Sequence, residues 1–120
     1  MPRTARLNEL LREVIAEELE RIDDDRLLRV TVTTVDVDAD LNRAIVYYDA
    51  LAGESADDAV LDAFGAHRVR LQAAIGRQVR ARKTPVLQFR PDDVIRTAER
   101  IDRILRDAPP PAPGDDAGPA

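Results

Sequence analysis

From Thr4 to Ile22 the apolar positions Leu7, Leu11, Val14, Ile15, Leu19 and Ile22 step by three and four, while Glu9, Glu13, Glu17 and Glu20 fall off that stripe. This spacing predicts an amphipathic helix. Asp23-Asp24-Asp25 should end it, because acidic residues oppose the negative end of the helix dipole and Asp favours turns. Two stretches rich in β-branched and aromatic residues follow, Leu28 to Val37 and Ala44 to Ala50, and read as strands joined by the polar connection from Asp38 to Arg43. In the first of them the apolar phase moves from Val30 and Val32 to Val35 and Val37. That shift predicts either a bulge near Thr33 and Thr34 or burial of both faces.

Beyond the hairpin, Ser55 is placed to cap a short helix from Ala56 to Phe64, with Asp57 and Asp58 in its first turn. Gly65 follows, and a kink is expected at Ala63-Phe64-Gly65 before a second helix from Ala66 to Lys83. Thr84-Pro85 should stop that helix, since a residue before proline is pushed toward extended geometry. Val86 to Arg90 reads as a third strand with Leu87 and Phe89 on one face. Pro91-Asp92-Asp93 opens a last amphipathic segment in which Val94, Ala98, Ile101 and Leu105 keep helical spacing. Residues 107 to 120 hold five prolines, three acids and no bulky apolar side chain, the composition of a disordered tail.

A chain of 120 residues is one domain's worth, here residues 1–106 followed by the tail 107–120. Without cysteine it can form neither a disulfide framework nor a thiolate metal site. No apolar run approaches the ~20 residues of a membrane span, and no signal-like apolar block follows the N-terminus, so a soluble cytoplasmic protein is expected. The formal net charge of −5 hides a strong asymmetry. Residues 1–65 carry 7 basic and 16 acidic side chains, whereas residues 66–106 carry 11 and 4. Such segregation favours one face for an anionic partner and another for solvent.

Candidate chemistry is concentrated in the basic helix. Ala66 to Lys83 contains six cations and no acid. At 100° per residue Arg70, Arg77 and Arg80 share a stripe with Ala66 and Ala73, opposite Leu71, Ile75 and Val79. One side can dock on a core; the other presents guanidinium groups between alanines small enough to let a polyanion approach. Arg68, Arg82 and Lys83 extend the set at the helix ends, His67 at its start can reach a phosphate or a base, and Arg3 and Arg6 can join them. The aromatics Tyr47, Tyr48, Phe64 and Phe89 are too few for a stacking platform and read as core. Asp36, Asp38, Asp40 and Asn42 alternate like the start of a calcium loop, but Leu41 and Tyr47 occupy the positions that need Gly and Glu, so no metal is expected. One histidine, one serine and no phosphate-binding loop or zinc motif leave nothing poised for catalysis.

The order helix, strand, strand, helix, helix, strand is that of an α+β, type II KH-like domain, here with a kinked helix pair and a short C-terminal helix. Within it, the run from Asp25 to Val37, then Asp40 to Tyr48, resembles the two-strand signature of the ribosome-binding factor A family. Thr84-Pro85-Val86-Leu87-Gln88-Phe89, Asp92-Asp93 and Arg100-Ile101-Asp102-Arg103-Ile104-Leu105 resemble it too, and the likeness spans about Ala5 to Leu105. The resemblance implies a non-enzymatic, monomeric factor without cofactor or small-molecule substrate. Such a factor binds the free 30S subunit and assists late 16S rRNA maturation, including 5′-end processing. It also implies an Ala-x-Gly kink in place of the KH Gly-x-x-Gly loop. Ala63-Phe64-Gly65 fits that pattern, although counting back from Pro85 by the family's spacing lands on His67-Arg68-Val69. The alternative is a protein-binding adaptor that works through its acidic first helix or its tail.

Overall fold

The apolar stripe of the first helix does what its period requires. In α1 (Arg3–Glu20) Leu11, Val14 and Ile15 are buried, and the acids at 9, 13, 17 and 20 remain in solvent. The computed structural model describes residues 3–80 and 83–107. The side chain of Arg3, all of Arg82 and the expected tail from residue 108 onward lie outside the described residues. After α1, Asp24 caps a 3-10 turn, Asp25–Leu27, its side chain accepting from the Arg26 N–H at 3.0 Å. Two antiparallel strands follow, β1 (Val30–Val37) and β2 (Arg43–Ala50). Then come α2 (Asp57–Gln78), β3 (Val86–Pro91) and α3 (Asp93–Asp107).

The sheet order is β1-β2-β3, with β3 parallel to β2, and α1 and α2 cover one face of it. This is an α+β domain with a mixed sheet, the KH-like arrangement. Its core joins Leu11 and Ile15 of α1, Val35, Val46 and Tyr48 of the sheet, and Phe64, Leu71 and Ile75 of α2. Phe64 stacks on Phe89 with centroids 4.4 Å apart and tilts against Tyr48 at 5.4 Å. Two side-chain amides tie helices to strand edges: Asn8 Oδ1 accepts the Val37 N–H at 2.8 Å, and Gln72 Oε1 accepts the Leu87 N–H at 3.1 Å. Each satisfies a strand N–H that the ladder leaves unpaired.

Between the two readings of β1, the bulge is correct: Val32 pairs with Tyr48 and Thr34 with Tyr47, leaving Thr33 extra. The polar hairpin residues serve the turn, with Asp38 Oδ1 accepting from the Asn42 N–H at 2.7 Å. Among the described residues no helix is long and apolar enough to cross a membrane.

Three expectations need correction. Helix α2 runs without interruption from Asp57 to Gln78, so Ala63-Phe64-Gly65 does not divide it into two elements. Gly65 has no positive φ, and Ala63 and Phe64 just before it are fully buried, so core packing keeps the helix continuous through a residue that merely permits a break. The helix also ends five residues before Lys83. Val79 adopts extended geometry (φ −115, ψ 123) and buries its side chain, and its N–H still bonds the Ile75 carbonyl at 2.8 Å. Finally, Ser55 caps nothing: its hydroxyl donates back to the Ala52 carbonyl at 3.0 Å, within a 3-10 turn (Gly53–Ala56) that leads into α2.

Helix α3 is attached by its polar side. Arg96, 7% exposed, donates Nε to Asp49 and both terminal nitrogens to Asp57, each at 2.9 Å, and its guanidinium lies 5.8 Å from the Tyr48 ring centroid. Asp57 also accepts the Tyr48 hydroxyl at 2.8 Å. Arg100 reaches Glu54 at 3.2 Å. Val94, Ile101, Ile104 and Leu105 consequently point away from the domain and are exposed.

Candidate nucleic-acid interface

The cations of residues 66–83 are placed by α2 and by the extended leg that follows it. Helical geometry sends Arg68 and Arg70 to different sides. Arg68 turns toward β3, its guanidinium 5.8 Å from the Phe89 centroid, and stays exposed. Arg70 turns toward α1, where Nε donates to Glu18 Oε1 at 2.9 Å and Nη2 to the Arg21 carbonyl at 3.3 Å. Glu18 is 6% exposed, and Arg70, aided by Arg21, holds its carboxyl below the usual range. Arg70 is therefore a strut between two helices, the nearer of two guanidinium partners of a buried carboxylate that Arg21 also reaches, at 3.3 Å.

His67 is committed in the same way. Its Nε2 lies 2.9 Å from Asp24 Oδ2, in a group that also contains Arg26 at 2.7 Å. Arg26 first, then His67, keep the Asp24 carboxyl far below the ordinary carboxylate range. The acidic triplet that ends α1 thus organises the contact between the turn after α1 and the middle of α2.

Arg77 and Arg80 are different. Both are exposed, and among the described residues neither joins an ion pair. Arg77 lies in the last turn of α2, where a cation also complements the helix dipole. Arg80 sits on the extended leg and not on the helical stripe, because the buried Val79 has already turned the chain. The return toward β3 passes over the helix at Gly76, where a Cβ would be in ordinary van der Waals contact with Thr84 Oγ1, 3.4 Å away. Lys83 then donates to Asn42 Oδ1 at 2.5 Å, and the Val86 N–H to the Asn42 carbonyl at 2.9 Å, which anchors the basic leg beside the β1–β2 turn. Ala66 and Ala73 are exposed on the helix surface, and Arg6 is exposed on α1.

The stripe that periodicity assembled from Arg70, Arg77 and Arg80 therefore separates into one structural cation and two free ones. Sequence reasoning had no means of finding the Arg96 cluster, whose partners Asp49 and Asp57 lie 47 and 39 residues away. Among the described residues no group of His, Cys, Asp and Glu is arranged to hold a metal ion.

Comparison with known proteins places this geometry in a family. A family model described as ribosome-binding factor A matches residues 3–105. Ribosome-binding factor A of Rubrobacter xylanophilus is 39% identical over 109 residues, covering 88% of this chain and 86% of that one. The Halorhodospira halophila protein of the same name is 35% identical over 114 residues, covering 92% and 90%. The crystal structure of ribosome-binding factor A from Thermus thermophilus superimposes with a TM-score of 0.68 at 35% identity, over 73% of this chain and 94% of that one. Coordinates of the Thermus factor fitted into a cryo-EM map of a 30S–RbfA complex give 0.59 at 35% identity, covering 69% and 88%. With the match extending from the first turn of α1 to the last turn of α3, the chain belongs to the ribosome-binding factor A family.

Proposed function

We propose that the chain binds the free 30S subunit and assists late maturation of its 16S rRNA, including 5′-end processing, as a non-enzymatic factor. The observation that carries the reading is the basic leg from Arg77 to Lys83, which carries no acid and sets Arg77 and Arg80 free in solvent on an otherwise acidic protein. Its place in a family with a member fitted into a 30S complex supplies the partner. Arg77, Arg80, Arg82 and Lys83 contact rRNA phosphates in this reading, with Arg68, Arg6 and Arg3 contributing at the margins. Phosphate contacts supply affinity and register, and specificity comes from the shape of the immature subunit.

The test is cosedimentation with free small subunits and with assembled ribosomes. The wild type should travel with the free subunit, and the Arg77→Glu/Arg80→Glu variant should stay in the supernatant while keeping its far-UV circular dichroism. Unchanged cosedimentation by that folded variant overturns the assignment. Cells lacking the protein should accumulate 16S rRNA with an unprocessed 5′ end. Ending the chain at Ala108 should leave subunit binding unchanged; an adaptor working through the tail would lose it.

A further inference from the structure

Helices α1 and α2 cover one face of the sheet and, among the described residues, no helix packs over the middle of the other. Along β2, Ala44, Val46, Tyr48 and Ala50 are buried under the helices, so Arg43, Ile45, Tyr47 and Asp49 alternate onto the opposite side, where Asp49 is taken by Arg96 of α3. The register then fixes their neighbours. Tyr47 lies between Thr34 on β1 and Arg90 on β3, Ile45 lies between Asp36 and Gln88, and Arg43 pairs with Val86. Arg43, Ile45, Gln88 and Arg90 line a shallow cavity of about 290 Å3 with Asp36 and Asp38.

We propose that this uncovered face is a second RNA-contact surface, on which a base of a single-stranded segment stacks on Tyr47 while Arg43 and Arg90 hold the flanking phosphates. The inference rests on the ribosome-binding reading for its partner. It adds a surface that the basic leg alone does not provide.

Three features favour RNA as the occupant. First, an aromatic ring with one guanidinium on the adjacent strand, Arg90, and another farther along its own strand, Arg43, is a combination that can take a base face and its flanking phosphates together. Tyr47 is half-buried, and among the described residues its hydroxyl has no hydrogen-bond partner, whereas the Tyr48 hydroxyl is used by Asp57. Second, the ring is held on a fixed backbone: the bulged Thr33 places Oγ1 within hydrogen-bond distance of the Tyr47 carbonyl and of Asp92. Third, the face continues the basic leg. Lys83 is anchored on Asn42, next to Arg43, so the cations of the basic leg lead to Arg43 at the start of the central strand, with Arg90 farther along β3 beside Tyr47. Of the two acids in the cavity, Asp38 spends one oxygen on the N–H groups of Asn42 and Arg43. Asp36 repels phosphate, and so directs the backbone toward the β3 side, where Arg90 stands.

The protein contains its own probe. There is no tryptophan and there are two tyrosines, of which Tyr48 is fully buried, so a ligand that quenches tyrosine emission reports on Tyr47. A single-stranded oligoribonucleotide of about eight nucleotides, within the range one such platform spans, should quench the full-length protein saturably. By anisotropy of a labelled copy, Tyr47→Phe should bind as the wild type, and Tyr47→Ala should bind at least about five-fold more weakly, the loss expected for one stacked base. Arg43→Ala/Arg90→Ala, which leaves the aromatic in place, should weaken binding and flatten its salt dependence. No quenching in the wild type, or equal affinity of Tyr47→Ala, overturns the proposal. If Tyr47→Ala loses affinity for the small subunit but not for the oligonucleotide, the face meets ribosomal protein, and the proposal is again wrong. The ribosome-binding reading is judged apart, by wild-type cosedimentation: should that fail, the partner is lost whatever the oligonucleotide does.

Discussion

Replacing Arg77 and Arg80 by alanine removes two cations that the fold leaves in solvent, and their loss can be counted through salt. Each phosphate neutralised contributes about 0.9 to the slope of log affinity against log salt on B-form duplex DNA and about 0.7 on single strands, the range used for rRNA. If both arginines contact phosphate, the double variant should have a slope shallower by roughly 1.4 to 1.8. A rise from about 50 to about 200 mM salt is fourfold, so the gap between wild type and variant should narrow by about ten-fold across that range. Arg70→Ala provides the contrast. Its guanidinium is held by Glu18 and the Arg21 carbonyl. Its removal should lower stability by leaving the buried Glu18 to Arg21 alone, at 3.3 Å, and should leave the salt slope as it was. The assay is binding to purified free small subunits at a series of potassium chloride concentrations, with thermal unfolding of each variant alongside. An unchanged slope for Arg77→Ala/Arg80→Ala, or an equal flattening for Arg70→Ala, would refute the division of these arginines into free and committed.

The other predictions concern the fold that positions them. Arg96→Met strands Asp49 and Asp57, each about one-fifth exposed, and should cost about 2–3 kcal/mol, below the 3–5 of a fully buried pair because water reaches both acids and Asp57 lies at the N-terminus of α2. Urea denaturation measures it, and Asp57→Asn should cost less in the Arg96→Met background than in the wild type. Gly65→Ala should stabilise by up to about 1 kcal/mol, since a Cβ there meets no atom within 4 Å and φ is already helical. A Tm higher by roughly 4–8 °C would show it, and a lower Tm would mean that the chain needs more freedom at Gly65 than a straight helix requires. Acid should destabilise the domain. Arg96 holds the Asp57 carboxyl below its usual value, as Arg70 does for Glu18 and Arg26 for Asp24. A carboxyl lowered in the folded state contributes stability above its unfolded value and loses it on protonation. Urea midpoints should therefore be flat from pH 7 to about pH 5 and fall below about pH 4.

Local pattern made much of this protein legible. The period of Leu7, Leu11, Val14 and Ile15 located α1, and the broken alternation across Thr33 and Thr34 narrowed β1 to a bulge or burial of both faces, between which the pairing with β2 decided. Pro85 marked the start of the third strand, and the charge count separated an acidic half from a basic one. The helix boundaries were less legible. Gly65 lowers the cost of a break without requiring one, and the burial of Ala63 and Phe64 decides against separate elements. The end of α2 is set by Val79, which reaches the core only by leaving helical geometry; the chain offers no proline or glycine at that point to announce it. Tyr47 and Tyr48 are alike in composition and neighbours in sequence, yet the pleat sends one into the core and the other onto the open face.

The sequence by itself determined the strands, the first and last helices, the family and the concentration of positive charge in residues 66–83. Those properties depend on neighbours a few positions apart, and a period of 3.6 or 2 expresses them directly. Only the tertiary structure decided which cations remain free to meet RNA. Arg70 is held by Glu18, 52 residues away, and His67 by Asp24, 43 residues away. Arg77 and Arg80 meet no acid among the described residues. Whether a guanidinium is spent inside the fold depends on which carboxylate packing brings within 3 Å, and no local spacing encodes that.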